Sequence, residues 1–333
     1  MIGWLKIRET SAVAEARRRA RRTANAMGLH STKVEHAAIV ATEIAQNVLR
    51  HGGGGQVLVE IFGAPSLERL HIVGHDDGPG IGRIDRMIRD GETTKNSSGT
   101  GLGAIKRLSD RLDIFSEPGR TVIAAEFRRQ TIRLSDPVDH AGFKLAYPGE
   151  RRCGDIVAVR SSHDKCVYFL ADGLGHGVKA ATAAVMAKKA FLSGSGSDPA
   201  ELLYQVGDAL QNSRGAVGAV VSLDRASGNV DYAGIGNVST LVIQGKNVRR
   251  LAVRDGLLGG RKTTPHREAI SVDSNAIIVM YSDGLNTLRS LDSQTALLQR
   301  SAPVIAAELL AKNLRGRDDA SIVVSRVSQA RTL

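Results

Sequence analysis

The chain has 333 residues, 42% hydrophobic and 24% charged, a composition of folded globular domains that leaves room for two cores of ordinary size. No run approaches the ~18 consecutive apolar residues of a membrane span, and the opening MIGWLKIRET puts its charges after its short apolar patch, against a secretory signal. A cytoplasmic protein with no membrane partner is therefore expected.

A net charge of +11 raises nucleic acid as a ligand. Aromatic residues are only 4% of the chain, too few for base-stacking platforms, and no nucleic-acid motif is present. The arginine run at 15–25 has Val13, Ala20, Ala24 and Met27 on helical spacing, so it reads first as the solvated face of an amphipathic helix. A docking face for an acidic protein comes second, and no nucleic-acid partner is expected. Cys153 and Cys166 form no ligand pattern and read as reduced packing residues.

In chain order, the periodicities predict helices at about 11–27 and 32–50, then strands at 56–62 and 68–74. An irregular Gly-rich stretch (76–101) leads into a helix at 102–111 and strands near 112–117 and 121–128. This is an α+β sandwich with helices against one face of a mainly antiparallel sheet. RLSDPVDHAG (133–142) breaks the pattern and reads as a domain joint, dividing the chain into 1–133 and 134–333. Strands follow at 142–147, 154–160 and 165–171, with helices at about 178–193 and 198–212. Further strands fall near 217–223, 229–234, 238–243 and 276–282, then a helix at 302–313 and a strand at 320–326. The expected architecture is a β-sandwich flanked by helices, with 254–268 a mobile loop.

Within the second helix, Val34, Ala37, Ala41, Ile44 and Val48 form a core stripe. Glu43 and Asn47 stand one turn apart beside it. A carboxylate and an amide so placed can hold a water, a hydroxyl or a hydrated Mg²⁺, although alone they could equally be a polar helix edge. DDGPG puts Asp76 just past a buried strand, where an acceptor-only carboxylate can take the amino group of adenine. Gly78 and Gly80 let backbone pass close to a base. SSGTGLGAIKRLSD places a glycine-rich loop at a helix start, where free N–H groups suit phosphates.

TEIAQNVLRHGGGG, DDGPGI and GTGLGAIKRLSD together resemble the boxes of the GHKL (histidine-kinase-type, Bergerat) ATP-binding fold, nearest to its RsbT-like serine-kinase and anti-sigma branch, over roughly residues 8–130. The resemblance implies ATP with Mg²⁺ as cofactor, Asn47 on the metal and Asp76 on adenine. It implies Gly78, Gly80, Gly99, Thr100, Gly101, Leu102 and Gly103 along the nucleotide, with 84–98 as a lid. Glu43 becomes the general base for a seryl hydroxyl. No phosphoacceptor-His helix domain fits before residue 30, which argues against autophosphorylation on His.

The second half ends or begins four apolar strands in aspartate: CGDIVAV (Asp155), VYFLADGLGHG (Asp172), IIVMYSDGLN (Asp283) and GRDDASIVV (Asp318, Asp319). Each alone reads as an Asp turn. Four at strand ends suit an all-oxygen site for Mg²⁺ or Mn²⁺, where two ions about 3.5–4 Å apart can activate water for phosphoryl hydrolysis. The set resembles the PPM family of metal-dependent Ser/Thr phosphatases in its SpoIIE/RsbX-like branch, over roughly 140–327. That likeness implies two Mg²⁺ or Mn²⁺ ions on Asp155, Asp172, Gly173, Asp283 and Asp318, with Asp319 supporting from behind. His176 is open between a general acid and a shaper of its Gly-flanked turn. AGIGNVSTLV (233–242) reads as a structural strand-turn, with Asn237 a lesser site candidate.

Jointly, the resemblances imply a kinase-like ATP domain fused to a phosphoserine/phosphothreonine phosphatase. Its substrate would be a STAS-domain antagonist or scaffold protein in a partner-switching, stressosome-like or sigma-factor circuit. An ATP domain that only senses nucleotide is the alternative, and pairing into a homodimer is compatible with the same resemblance.

Overall fold

Small and β-branched residues at helical spacing build the first layer. In the computed structural model, which describes residues 3–82, 84, 101–129, 138–162 and 164–327, α1 (Thr10–Met27) buries Val13, Ala16, Ala20, Ala24 and Met27. Its Arg17, Arg18 and Arg22 face solvent, so the basic run is the outer face of an amphipathic helix. Gly28 ends the helix at φ 75°, returning its N–H to the Ala24 and Asn25 carbonyls, a left-handed cap that favours glycine. α2 (Ser31–Arg50) buries the Val34, Ala37, Ala41, Ile44 and Val48 stripe. Both helices, with α3 (Gly101–Leu108), cover one face of an antiparallel sheet of order β1-β2-β3-β5-β4. Its strands are β1 (Leu5–Ile7), β2 (Gly55–Phe62), β3 (Arg69–Asp76), β4 (Arg111–Glu117) and β5 (Arg120–Arg128).

The second half is a sandwich of two five-stranded antiparallel sheets. One has the order β13-β10-β9-β8-β7, from β7 (Asp155–Ser161), β8 (Lys165–Gly173), β9 (Ala216–Asp224), β10 (Asn229–Ile235) and β13 (His266–Ser271). The other has the order β12-β11-β14-β15-β6, from β6 (Asp139–Leu145), β11 (Ser239–Gln244), β12 (Asn247–Leu251), β14 (Ile277–Tyr281) and β15 (Ala320–Arg326). Tyr168, Leu170, Val221, Ile278, Met280 and Val323 fill the space between them. α4 (Val178–Ser193) and α5 (Pro199–Ala209) seal the outer face of the first sheet. Asp198 caps α5, accepting the Ala200 and Glu201 N–H groups. A short α6 (Thr295–Leu298) precedes α7 (Ala302–Asn313).

α7 joins the two halves. It is buried without a break from Ala302 to Leu310, the mark of a helix covered on all sides. One side packs on β6 and β15, the other on the free face of the first sheet, so Leu58, Val73, Phe115 and Val122 share a core with Val304, Ile305, Leu309 and Phe143. Truncating one of its large apolar side chains to Ala should cost about 2–5 kcal/mol.

The expected α+β architecture holds in both halves. The helices of the first half cover one face of its sheet, as expected, and α7 of the second half covers the other. β1, β12 and β13 were not expected, and β13 takes up the end of the 254–268 stretch read as a loop. Residues 133–137 of the expected joint and 85–98 of the expected lid lie outside the described residues.

Candidate functional site

α2 presents Glu43 and Asn47 toward the start of α3. A Cβ built on Gly101 would lie 3.1 Å from Glu43 Oε2, a tight approach that would nudge that carboxylate, and 3.6 Å from Asn47 Oδ1, an ordinary contact. The Asn47 amide nitrogen is buried with no hydrogen-bond partner among the described residues. Such a group costs about 1–3 kcal/mol unless a ligand or water completes it.

Asp76 closes β3 and is buried. Its carboxylate accepts the Gly78 N–H at 3.0 Å. Burial raises its pKa, with the Gly78 bond opposing. Asp76 shares a slot of about 50 Å³ with Asn47, Gly80, Ile81, Leu102 and Thr121. A side chain at Gly78 would meet the Gly52 Cα at 2.7 Å, and Gly80 sits at φ 83°. These glycines therefore allow the Asp76 turn to lie against the end of α2. Ser116 Oγ accepts the Ile81 N–H at 2.7 Å and lies 2.9 Å from the Thr121 hydroxyl, steadying the slot's far wall. The structure thus brings Glu43, Asn47, Asp76, Gly78, Gly80, Gly101 and Leu102 to one region. Gly103 is buried one turn into α3, while Gly99 and Thr100 lie outside the described residues.

The second constellation gathers on one rim of the sandwich. Asp155 and Asp172 are paired across β7 and β8. Both Asp155 carboxylate oxygens are buried without a well-aligned hydrogen bond, although the Ser282 and Ser321 hydroxyls lie near enough to ease the burial of its charge. Burial pushes the pKa of both aspartates up, and the charges of Asp155, Asp283 and Asp318 push Asp172 further. Asp283 and Asp318 line a cleft of about 510 Å³ with Asn286, Arg315 and Arg317. Asn237 donates to Asp283 at 2.8 Å, so the lesser candidate touches the rim directly. Asp319 is buried and accepts the Tyr147 and Gly154 N–H groups at 2.7 and 2.8 Å, tying the segment before β7 to β15. Gly173 packs against the Ala180 carbonyl, which a Cβ would approach to 2.8 Å.

Among the described residues, no three His, Cys, Asp or Glu side chains stand close enough to enclose an ion as placed. The donor set nonetheless fits hard divalent cations. It is all oxygen, and its most buried carboxylate has only the Ser282 and Ser321 hydroxyls to offset its desolvation. His176 is exposed, stacks on Tyr147 at 4.3 Å and reaches Glu150 Oε1 at 3.3 Å. Arg315 and Arg317 escaped the sequence reading, since one exposed arginine in a loop looks like another. Both cysteines are buried and neither forms a disulfide.

Residues 8–127 match the family described as histidine kinase-like ATPase domain, and residues 162–328 match the family described as Stage II sporulation protein E (SpoIIE). The serine/threonine-protein kinase RsbT of Bacillus subtilis (strain 168) is 30% identical over 107 residues, 32% of this chain and 80% of RsbT. The phosphoserine phosphatase RsbX of the same organism is 22% identical over 146 residues, 43% of this chain and 73% of RsbX. Among solved structures, RsbX in complex with magnesium shares the fold with a TM-score of 0.52 at 19% identity, over 57% of this chain and 96% of that one. A structure from work on the bacterial stressosome as a modular system controlling secondary messenger signalling also has a TM-score of 0.52, at 24% identity over 57% of this chain and 99% of that one. The chain therefore belongs to the SpoIIE family, its phosphatase-type domain preceded by a histidine kinase-like ATPase domain of the RsbT kind.

Proposed function

We propose that the protein sets the phosphorylation state of a partner from both directions, as an ATP-dependent serine kinase and a metal-dependent phosphoserine/phosphothreonine phosphatase. The observation that supports this is the presence of two constellations in one chain: Asn47 and Asp76 lining one slot with Glu43 beside Asn47 at the start of α3, and Asp172 under the charges of Asp155, Asp283 and Asp318. The joint between the activities is drawn at 133/134. A STAS-domain protein of a partner-switching circuit is the substrate that the RsbT and RsbX likenesses support.

In the kinase half, Asp76 holds the adenine amino group, Asn47 offers its amide oxygen to Mg²⁺, and the start of α3 faces the phosphates. Gly99, Thr100, Gly101, Leu102 and Gly103 line the nucleotide. Glu43 takes the seryl proton as the hydroxyl attacks the terminal phosphorus, whose bond to the bridging oxygen breaks to release ADP. In the phosphatase half, bound Mg²⁺ or Mn²⁺ ions would supply a water acidic enough to attack phosphorus in line. The chain would hold them through Asp155, Asp172, Asp283, Asp318 and the Gly173 carbonyl. Asn237 fixes the Asp283 rotamer and Asp319 anchors the loop that delivers Asp155. Arg315 and Arg317 offer guanidinium donors to phosphoryl oxygens in the same cleft.

The test is mass spectrometry of a STAS partner after incubation with the protein, Mg²⁺ and ATP. Transfer that Glu43→Ala abolishes, and dephosphorylation that Asp172→Asn abolishes, are expected. Dephosphorylation without transfer to any STAS partner tried would leave a phosphatase with a nucleotide-sensing domain.

A further inference from the structure

The residues on either side of Asp76 both grip α7. Alternation along β3 puts Asp76 on the nucleotide side and its neighbours on the other. His75 Nε2 lies 3.0 Å from Glu308 Oε2, with the two side chains only 5% and 2% exposed. Asp77 meets Lys312 at 2.6 Å, one turn further along α7. Arg120, from the strand pairing with β3, reaches the other Glu308 oxygen at 3.5 Å. The start of α7 is held from the same side, since Asp113 of β4 accepts the Ser301 N–H at 2.7 Å.

The far end of α7 is tied to the carboxylate rim. Asn313 O accepts the Asn286 N–H at 2.8 Å, and Gly284 O accepts the Arg315 N–H at 2.9 Å. Both bonds fall on the loop that follows Asp283, and residues 314–317 run from α7 straight to Asp318. Gly284 is pressed so tightly on this segment that a Cβ would clash with the Asp319 carbonyl. The C-terminal half of one helix, about 18 Å long in all, thus contacts the two neighbours of the adenine-facing carboxylate. Its last residue and the segment that follows brace the loop of one rim aspartate and lead into another.

We propose that nucleotide in the first domain and phosphatase activity in the second are coupled through α7. The proposal rests on the nucleotide and metal readings above. Ligand on Asp76 would shift the His75 and Asp77 contacts, and α7 would pass that shift to the Asp283 and Asp318 loops. The coupling would be carried mostly by the buried Glu308 contacts, because the exposed Lys312–Asp77 pair alone is a weak tie.

The experiment uses the full chain, p-nitrophenyl phosphate as phosphatase substrate and a non-hydrolysable ATP analogue. Calorimetry establishes analogue binding, and hydrogen exchange follows residues 302–319. Saturating analogue should change the hydrolysis rate by about fivefold or more and alter exchange across 314–319. Lys312→Ala should keep the nucleotide-free rate and reduce both responses. Glu308→Gln should nearly abolish them while still binding analogue. Binding with unchanged rate and exchange in the wild-type chain would overturn the coupling alone. A full response surviving both substitutions would overturn the route through α7. No binding at all would overturn the nucleotide reading, and the coupling with it.

Discussion

Asp76 and Asp172 both end a buried strand and run into an Asp-Gly turn, yet their surroundings differ in kind. Asp76 is a single carboxylate beside a small slot, partly satisfied by the Gly78 N–H. Asp172 faces three further carboxylates whose charges drive its pKa up. The first environment suits one neutral donor, such as an amino group on a base. The second is frustrated until cations arrive. Similar local sequence therefore reports only what the backbone needs at a strand end. The chemistry comes from what the rest of the fold brings to the turn.

The comparison breaks most sharply at Asp172. Asp172→Asn should lower phosphatase turnover by at least about a hundredfold while nucleotide affinity, read by calorimetry, stays within error. The same exchange should raise the melting temperature in EDTA, because it removes a like charge from the rim. If the variant instead melts lower in EDTA, the carboxylates do not repel as described. Asp76→Asn should do the opposite in function, weakening adenine nucleotide about 10- to 100-fold while Mn²⁺ binding to the second half is kept. A smaller effect is expected at Asn237→Ala, about a tenfold loss of Mn²⁺ affinity measured by titration calorimetry, since only the orientation of Asp283 is lost.

A separate effect concerns the seam between the halves. His71 of β3 is buried with its ring edge-on to Phe143 of β6, and neither ring nitrogen has a partner among the described residues. Burial pulls its pKa down from 6.5 to about 4. The unfolded chain therefore takes up a proton that the folded one refuses. Stability is present in full above pH 6.5 and is lost as pH falls toward 4, by roughly 3 kcal/mol at most. His140, depressed the same way by burial, adds to this loss. His71→Leu should make the acid limb of melting temperature against pH shallower, and an unchanged limb would remove His71 as a cause.

Much of this was legible in the residues. α7 was expected at 302–313 and β15 at 320–326, the bounds the structure gives, because both are dense apolar runs with clear ends. β12 and β13 were missed for a physical reason. Both are edge strands, and NVRRL and HREAIS are mostly polar, so they lack the apolar alternation that marks a strand with a covered face. The candidate site was legible where chemistry is local, as at Asp155, Asp172, Asp283 and Asp318. It was illegible where a residue matters through a partner far along the chain. Glu308 did leave a clue, as a lone carboxylate inside the apolar run PVIAAELLA, a placement that calls for a buried cation or donor. Nothing in that run says that the donor is His75, more than two hundred residues earlier.

The placement of α7 between two sheets also bears on dissection of the chain. A fragment ending near residue 129 would leave Leu58, Val73, Phe115 and Val122 as an open apolar face, a surface that invites aggregation. A fragment starting near residue 138 would bare the other side of α7 and strand Glu308 without His75 or Arg120. The two halves carry separate chemistries but share one seam, and they should melt as a single cooperative unit rather than as two modules on a string.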